Sequence, residues 1–371
     1  MGGVNTREIV SDYSVTNIAT QQTTEPSLDS LIRLVDADMK RVNQVIIDNM
    51  HSEVALIPQL ASHLVAAGGK RMRPMLTLAS AQLCGYQGGT SAVDLAACVE
   101  FIHTATLLHD DVVDESLLRR GQASANALFG NEASVLVGDF LFARAFVVMV
   151  KNGSLKVLDI LAKASAVIAE GEVLQLSTAN DMATSEEAYL EVITAKTAAL
   201  FGAASQIGAV IANRSAEDEE ALRLYGIYLG TAFQLIDDVL DYSAHQATLG
   251  KTVGDDFRDG KVTLPVIISY AKGDDEEKAF WRRCMEDQEF RDGDLDRAQE
   301  LIRKYDALSA SMDRAREFGQ LAIGTLTRFD DGAIKDAMIE AVTPLLEPGD
   351  TIIDGGNANF HDKDVQVRIY D

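Results

Sequence analysis

From Leu28 to about Val342, apolar residues recur at spacings of three and four almost without a break. That is the period of helices with one buried face. The segments SAVDLAACVEFIHTATLLHDDVVD and EEALRLYGIYLGTAFQLIDDVLDY carry it most clearly, and Pro58, Pro74 and Pro265 are the only prolines in the span. Strand-like alternation and a βαβ rhythm are absent. The pattern predicts an all-α bundle of roughly ten or more helices.

The flanks read differently. Residues 1–26 are polar, rich in Thr and Gln and closed by Pro26, which predicts a loosely attached leader. After Val342, TPLLEPGDTIIDGGNANFHDKD reads as turn, strand, turn, foreign to the helical body. The expected organisation is therefore a leader over 1–26, one helical domain over 27–342, and a tail over 343–371 that is not a domain. The acidic stretches SAEDEE, AKGDDEEK and EDQEFRDGDLD in the second half read as solvated helix ends and connections.

Composition narrows the function. With 371 residues, 47% of them hydrophobic, the chain can build a sizeable core. A formal net charge of −24 argues against a nucleic-acid partner and makes local basic clusters more informative. Three cysteines, Cys84, Cys98 and Cys284, without C-x-x-C spacing suit a reducing cytoplasm rather than a disulfide framework or a zinc site. The N-terminus has no signal-peptide pattern. The longest uncharged stretch, TAALFGAASQIGAVIAN, falls short of a membrane span, and its small residues predict a closely packed buried helix.

Chemistry concentrates in two acidic knots. LLHDDVVDESLLRRG holds Asp110, Asp111 and Asp114; FQLIDDVLDY repeats the spacing with Asp237, Asp238 and Asp241. Asp110 and Asp114 lie at i and i+4, one turn apart on the same helix face, where like charges repel unless a cation sits between them. A solvated face explains one such run; it does not explain two of them surrounded by apolar residues. Clustered carboxylates without nearby Cys or His pairs suit Mg²⁺, which is commonly shared with a substrate phosphate. Basic residues beside glycines supply the matching half: Lys70, Arg71 and Arg73 in GGKRMRP, then Arg119, Arg120, Lys196, Lys251 and Lys261. LGKT is not a P-loop, because His245 stands where that motif needs glycine.

The motifs GGKRMRP, FIHTATLLHDDVVDESLLRRG, GEVLQL, YLEVITAKTAALF and AFQLIDDVLDY followed by LGKTVGDDFRDGKVTLP resemble, in order and spacing, the long-chain trans-polyprenyl diphosphate synthases of octaprenyl and decaprenyl type. The resemblance implies the isoprenoid-synthase fold, a bundle around a central cavity, and a homodimer. It implies Mg²⁺-dependent head-to-tail condensation of isopentenyl diphosphate with an allylic diphosphate such as farnesyl diphosphate, giving a product of octaprenyl to decaprenyl length for the ubiquinone side chain. By position it assigns metal binding to Asp110, Asp111 and Asp114 and to Asp237, Asp238 and Asp241. It gives catalytic roles to Asp110, Asp114, Lys196 and Asp237. Arg119 would contact the allylic diphosphate, helped by Lys196, Thr197, Gln234 and Lys251, and Lys261 counts among the substrate-binding residues. Lys70, Arg73, His103 and Arg120 would bind isopentenyl diphosphate. His103 alone reads as a core histidine; seven residues before Asp110, it lies two turns back on nearly the same face.

Ala105 and Thr106 precede Asp110 by about a turn, and their small side chains leave room for a long tail. A long apolar product implies delivery to a membrane. The complete acidic knots favour a catalyst over the non-catalytic subunit of a heteromeric synthase. GGKRMRP argues against a terpene cyclase or squalene-type enzyme, and the paired acidic and basic sets against a plain helical scaffold. The tail, with Ile353, Asp354, Gly355, Gly356 and Asn357, resembles a fragment of 6-phosphogluconate dehydrogenase but lacks that fold's phosphate-binding glycines.

Overall fold

A computed structural model describes residues 28–66, 69, 71–119, 122–243 and 254–343. The leader and the tail beyond Thr343 lie outside the described residues, as do Lys70, Arg120 and Lys251.

The described chain is all-α, with sixteen α-helices. The first half comprises α1 (Asp29–Asn49), α2 (Leu56–Ala66), α3 (Met72–Leu83), α4 (Ser91–Val113), α5 (Ala125–Phe129), α6 (Asn131–Asn152), α7 (Leu155–Thr178) and α8 (Glu186–Ile193). A π-helical turn, Thr194–Ala198, joins α8 to α9 (Ala199–Ile211). There follow α10 (Ala216–Tyr242), α11 (Asp255–Arg258), α12 (Leu264–Lys272), α13 (Asp275–Met285), α14 (Asp294–Lys304), α15 (Ala307–Thr325) and α16 (Ala333–Glu340). The bundle agrees with the sequence expectation. One local correction concerns strand: Leu118–Arg119 and Gln122–Ala123 form a small antiparallel ladder, β1 and β2. Two residues per strand are too few to leave a period-two signature.

Packing places α10 between α9 and α15, α4 against α6, and α3 across α4 and α9. Leu95, Ile102, Leu108, Leu141, Phe201, Leu222 and Leu235 are fully buried in this core, each such side chain contributing about 1.5–3 kcal/mol of transfer free energy. The stretch from Thr197 packs as its small residues suggested. A Cβ on Gly226 would lie 2.2 Å from the Phe201 carbonyl oxygen, so only glycine lets α10 approach α9 this closely.

Among the described residues two helices are long and apolar enough to cross a bilayer by length and composition, α4 and α6. In α4, 61% of that window is buried inside the bundle; in α6, whose outer face is open, the share is 44%.

The acidic stretches do lie at helix ends, but they are less solvated than expected. Ser215 caps α10 by accepting from Asp218 N–H, and Asp274 and Glu277 form a reciprocal capping box on α13. Asp218, Glu219, Glu277 and Asp294 are nevertheless buried, because arginines and lysines from other elements pair with them. Asp294, for example, accepts from both terminal nitrogens of Arg283 at 2.8 Å.

Candidate active site

The acidic ends of α4 and α10 face one cavity of about 790 Å³. Asp110, Asp114, Asp237 and Asp238 line it, with Arg73, His103, Thr106, Arg119, Lys196, Thr197, Gln234 and Lys261. Most residues singled out in the sequence therefore meet in one place.

Each acidic knot divides according to helical geometry. Successive residues on a helix point about 100° apart, so the first and second aspartates cannot face the same way. Asp110 and Asp237 face the cavity and Asp111 turns away from it into the protein, while Asp238 borders the cavity but is itself buried. Asp111 is buried and accepts from Arg119 through both Nε (2.8 Å to Oδ1) and Nη2 (2.6 Å to Oδ1). It does not line the cavity; here it orients Arg119. The β-ladder carries Arg119 back over α4 for that purpose.

In the second knot, Asp238 accepts from Tyr189 Oη at 2.5 Å and Gln234 Nε2 at 2.8 Å. Thr197 Oγ1 donates to Gln234 Oε1 at 2.9 Å, so Thr197, Gln234, Asp238 and Tyr189 form one connected network. Asp241 is also held by the protein. It accepts from the backbone N–H groups of Asp255 (3.2 Å) and Asp256 (3.0 Å) and does not line the cavity. It anchors the segment that carries Lys261.

Lys196 and Thr197 sit in the π-helical turn. The wider turn rotates these two side chains relative to a continuous helix, a distortion that recurs at functional sites. Lys196 Nζ donates to Glu172 Oε2 at 2.8 Å. Lys261 Nζ lies 3.8 Å from Asp114, 3.8 Å from Asp256 and 3.0 Å from Asp259. It bridges the two acidic sides and does not stand free. Arg73 Nη1 donates to His103 Nε2 at 3.0 Å, and its guanidinium lies 4.4 Å above the centre of the Phe201 ring.

Electrostatics mark the acidic face as short of positive charge. Burial pushes the Asp110 carboxyl up to about 7; Lys196 opposes the rise, Glu172 and Asp114 add to it, and Arg119 opposes it. Burial also raises Asp238 and Asp241, against the hydrogen bonds they accept. Asp256 is raised by burial and by the charges of Asp238 and Asp241. Burial would lower Lys261, but Asp256, Asp114 and Asp259 hold it above the usual lysine range. Among the described residues no three Asp, Glu, His or Cys side chains converge to hold a metal ion by themselves. An ion here would need oxygens from a bound ligand as well.

Residues that the sequence reading missed include Tyr189, Glu172 and Asp256. Asp256 had a signal, since GDDFRDGK sets it five residues before Lys261. Tyr189 and Glu172 lie inside the motifs YLEVITAKTAALF and GEVLQL, but residue spacing gave neither a partner. Of the two residues proposed to govern product length, Thr106 lines the cavity, whereas Ala105 is fully buried in the core. Ala105 packs against neighbouring helices.

The polyprenyl synthetase family profile matches residues 54–302. The chain belongs to the polyprenyl synthetase family. The synthase is 47% identical over 313 residues to octaprenyl diphosphate synthase of Haemophilus influenzae, a match covering 84% of this chain and 94% of that protein. Among solved structures it is similar to a decaprenyl diphosphate synthase from Rhodobacter capsulatus, with TM-score 0.83 and 49% identity over 86% of this chain and 99% of the other. A polyprenyl synthase from Caulobacter crescentus, solved with calcium and isoprenyl diphosphate, has TM-score 0.83 and 51% identity, covering 88% of this chain and 99% of that one. The chain is thus a trans-prenyltransferase of the long-chain polyprenyl diphosphate synthase group, close to the octaprenyl diphosphate synthases. The dehydrogenase-like reading of the tail finds no support in these comparisons.

Proposed function

We propose that the synthase joins isopentenyl diphosphate head-to-tail to an allylic diphosphate such as farnesyl diphosphate, repeatedly, to an all-trans product of octaprenyl length (C40) that becomes the ubiquinone side chain. The observation that carries this is the meeting of Asp110 and Asp114 from α4 with Asp237 from α10 in one cavity, flanked by Arg119, Lys196 and Lys261. A subunit without catalytic function would have no use for both acidic faces.

The donor set fits Mg²⁺: hard carboxylate oxygens from Asp110, Asp114 and Asp237 gathered on one cavity, beside cationic side chains that suit a diphosphate. Asp110, Asp114 and Asp237 would hold the ion, and when bound it supplies charge neutralisation to the departing diphosphate. Arg119, fixed by Asp111, and Lys196, fixed by Glu172, bind and orient the allylic diphosphate oxygens, with Thr197, Gln234 and Lys261 beside them. Arg73 and His103 form a separate cationic corner for isopentenyl diphosphate, with Lys70, Arg120 and Lys251 assigned to diphosphate binding from sequence alone. Leu107, Phe201 and Phe233 line the cavity with apolar surface, which keeps water from the allylic carbocation. The double bond of isopentenyl diphosphate attacks that cation, and the proton lost afterwards passes to the released diphosphate.

A homodimer is the assembly this surface supports. On α6, Leu136, Phe140, Ala143, Val147 and Val150 follow alternating steps of four and three, the spacing of a helix–helix seam. Leu136 and Val150 are 65% and 66% exposed, an apolar edge suited to a second copy of the chain. Buried free thiols at Cys84, Cys98 and Cys284 fit work in a reducing cytoplasm, with the apolar product handed to a membrane.

The deciding assay supplies farnesyl diphosphate, labelled isopentenyl diphosphate and Mg²⁺, and chromatographs the dephosphorylated products. A ladder ending near the octaprenyl alcohol is expected. No incorporation would favour the non-catalytic subunit.

A further inference from the structure

Gly171, near the end of α7, lies against the π-helical turn. A Cβ there would stand 2.7 Å from the Ala195 Cβ and 3.2 Å from the Lys196 backbone nitrogen, so a larger residue would push the two elements apart. This close approach sets the next residue, Glu172, beside the Lys196 side chain. The resulting ion pair is short, 2.8 Å, and three-quarters buried, the two side chains being 25% and 26% exposed. Lys196 lines the cavity and Glu172 does not. The ammonium therefore has a fixed anionic partner behind it and acts on Asp110 from the same position.

We propose that Glu172 is a positioning residue that holds the Lys196 ammonium and shares its charge with any diphosphate in the cavity. The proposal rests on the synthase reading given above. Without Glu172, the ammonium would settle on the diphosphate and hold the leaving group after the allylic bond has broken. A chain-elongating enzyme discharges one pyrophosphate per addition. A counter-charge that reclaims Lys196 after each cycle favours that departure. None of this concerns isopentenyl diphosphate, whose expected corner at Arg73 and His103 has its own contacts.

Glu172→Gln keeps the shape and an acceptor oxygen but removes the charge. Binding of inorganic pyrophosphate with Mg²⁺ to the full chain, measured by calorimetry, is expected to tighten about three- to tenfold, between the effects of exposed and partly buried charge pairs. In steady state, KM for the allylic substrate and kcat should both fall while KM for isopentenyl diphosphate stays unchanged. Glu172→Asp, which retains the charge, should restore most of the original pyrophosphate affinity. Unchanged or weaker pyrophosphate binding in Glu172→Gln overturns the proposal. So does an equal effect of the Gln and Asp variants, which would make the residue one of packing alone. Because calorimetry needs no turnover, an unaltered chain that binds pyrophosphate but condenses nothing would count against the synthase reading and not against this one.

Discussion

Arg119 holds Asp111 with a two-pronged pair, Nε and Nη2 both within 2.9 Å of the carboxylate, in a place where that carboxylate is buried. A residue that sequence spacing assigns to a metal thus serves an arginine, and the arginine's fork is fixed before any diphosphate arrives. Tyr189 and Gln234 occupy Asp238 in the second knot in a parallel way. In both knots the inward-turned aspartate builds the wall on which the outward-facing one works.

Asp111→Asn should therefore behave unlike Asp110→Asn. An amide places a donor against the Arg119 donors, costing about 1–3 kcal/mol of stability by leaving a buried polar group poorly paired. KM for the allylic substrate should rise, while the Mg²⁺ concentration for half-maximal rate stays put. Asp110→Asn should shift that Mg²⁺ requirement upward. Chemical denaturation and Mg²⁺ titrations of both variants check this; matching Mg²⁺ shifts would return Asp111 to the ion.

The raised carboxyls fix the sign of a pH effect. Asp110 titrates near 7 when folded, and burial also raises Asp238 and Asp241; ordinary aspartates titrate near 4. The folded state binds these protons more tightly, so the stability they contribute is full below the ordinary carboxyl range and is lost as pH rises through the raised values. Mg²⁺ with pyrophosphate should oppose that loss by favouring ionised carboxylates. The increase in Tm on adding both is expected to be larger at pH 8 than at pH 5.5; an equal or smaller increase at pH 8 counts against an ion held at Asp110.

Thr106 lines the cavity one turn from Asp110, and its hydroxyl is tied back to the His103 carbonyl at 2.8 Å. Thr106→Phe should fill the space into which the growing chain extends and end synthesis several isoprene units early, with the first condensation little slowed. Ala105→Phe, by contrast, places an aromatic ring in a packed core and should lower stability by about 1–3 kcal/mol or more. Product chromatography and thermal unfolding separate the two.

The α6 seam predicts an assembly. Replacing Leu136 and Val150 by Asp puts charge on side chains that are exposed in one copy of the chain, so the isolated fold should survive. The unaltered chain is expected to sediment as a dimer and the double variant as a monomer. A dimer that persists would place the interface elsewhere.

The sequence alone determined the helical class, since a period of three to four over some 300 residues admits little else, and it located both acidic knots because their spacing repeats. It also supplied Arg73, His103, Lys196, Thr197, Gln234 and Lys261, all of which meet in the cavity. What it could not determine was which carboxylate in each knot faces outward. That depends on helix rotation, which is set by packing against α6, α9 and α15 and is invisible to residue spacing. The β-ladder that aims Arg119, the π-helical turn that aims Lys196, and the partners Tyr189 and Glu172 were decided only by tertiary structure. Each arises where distant segments touch, and a buried polar group's partner is chosen by proximity in space, on which the linear pattern is silent.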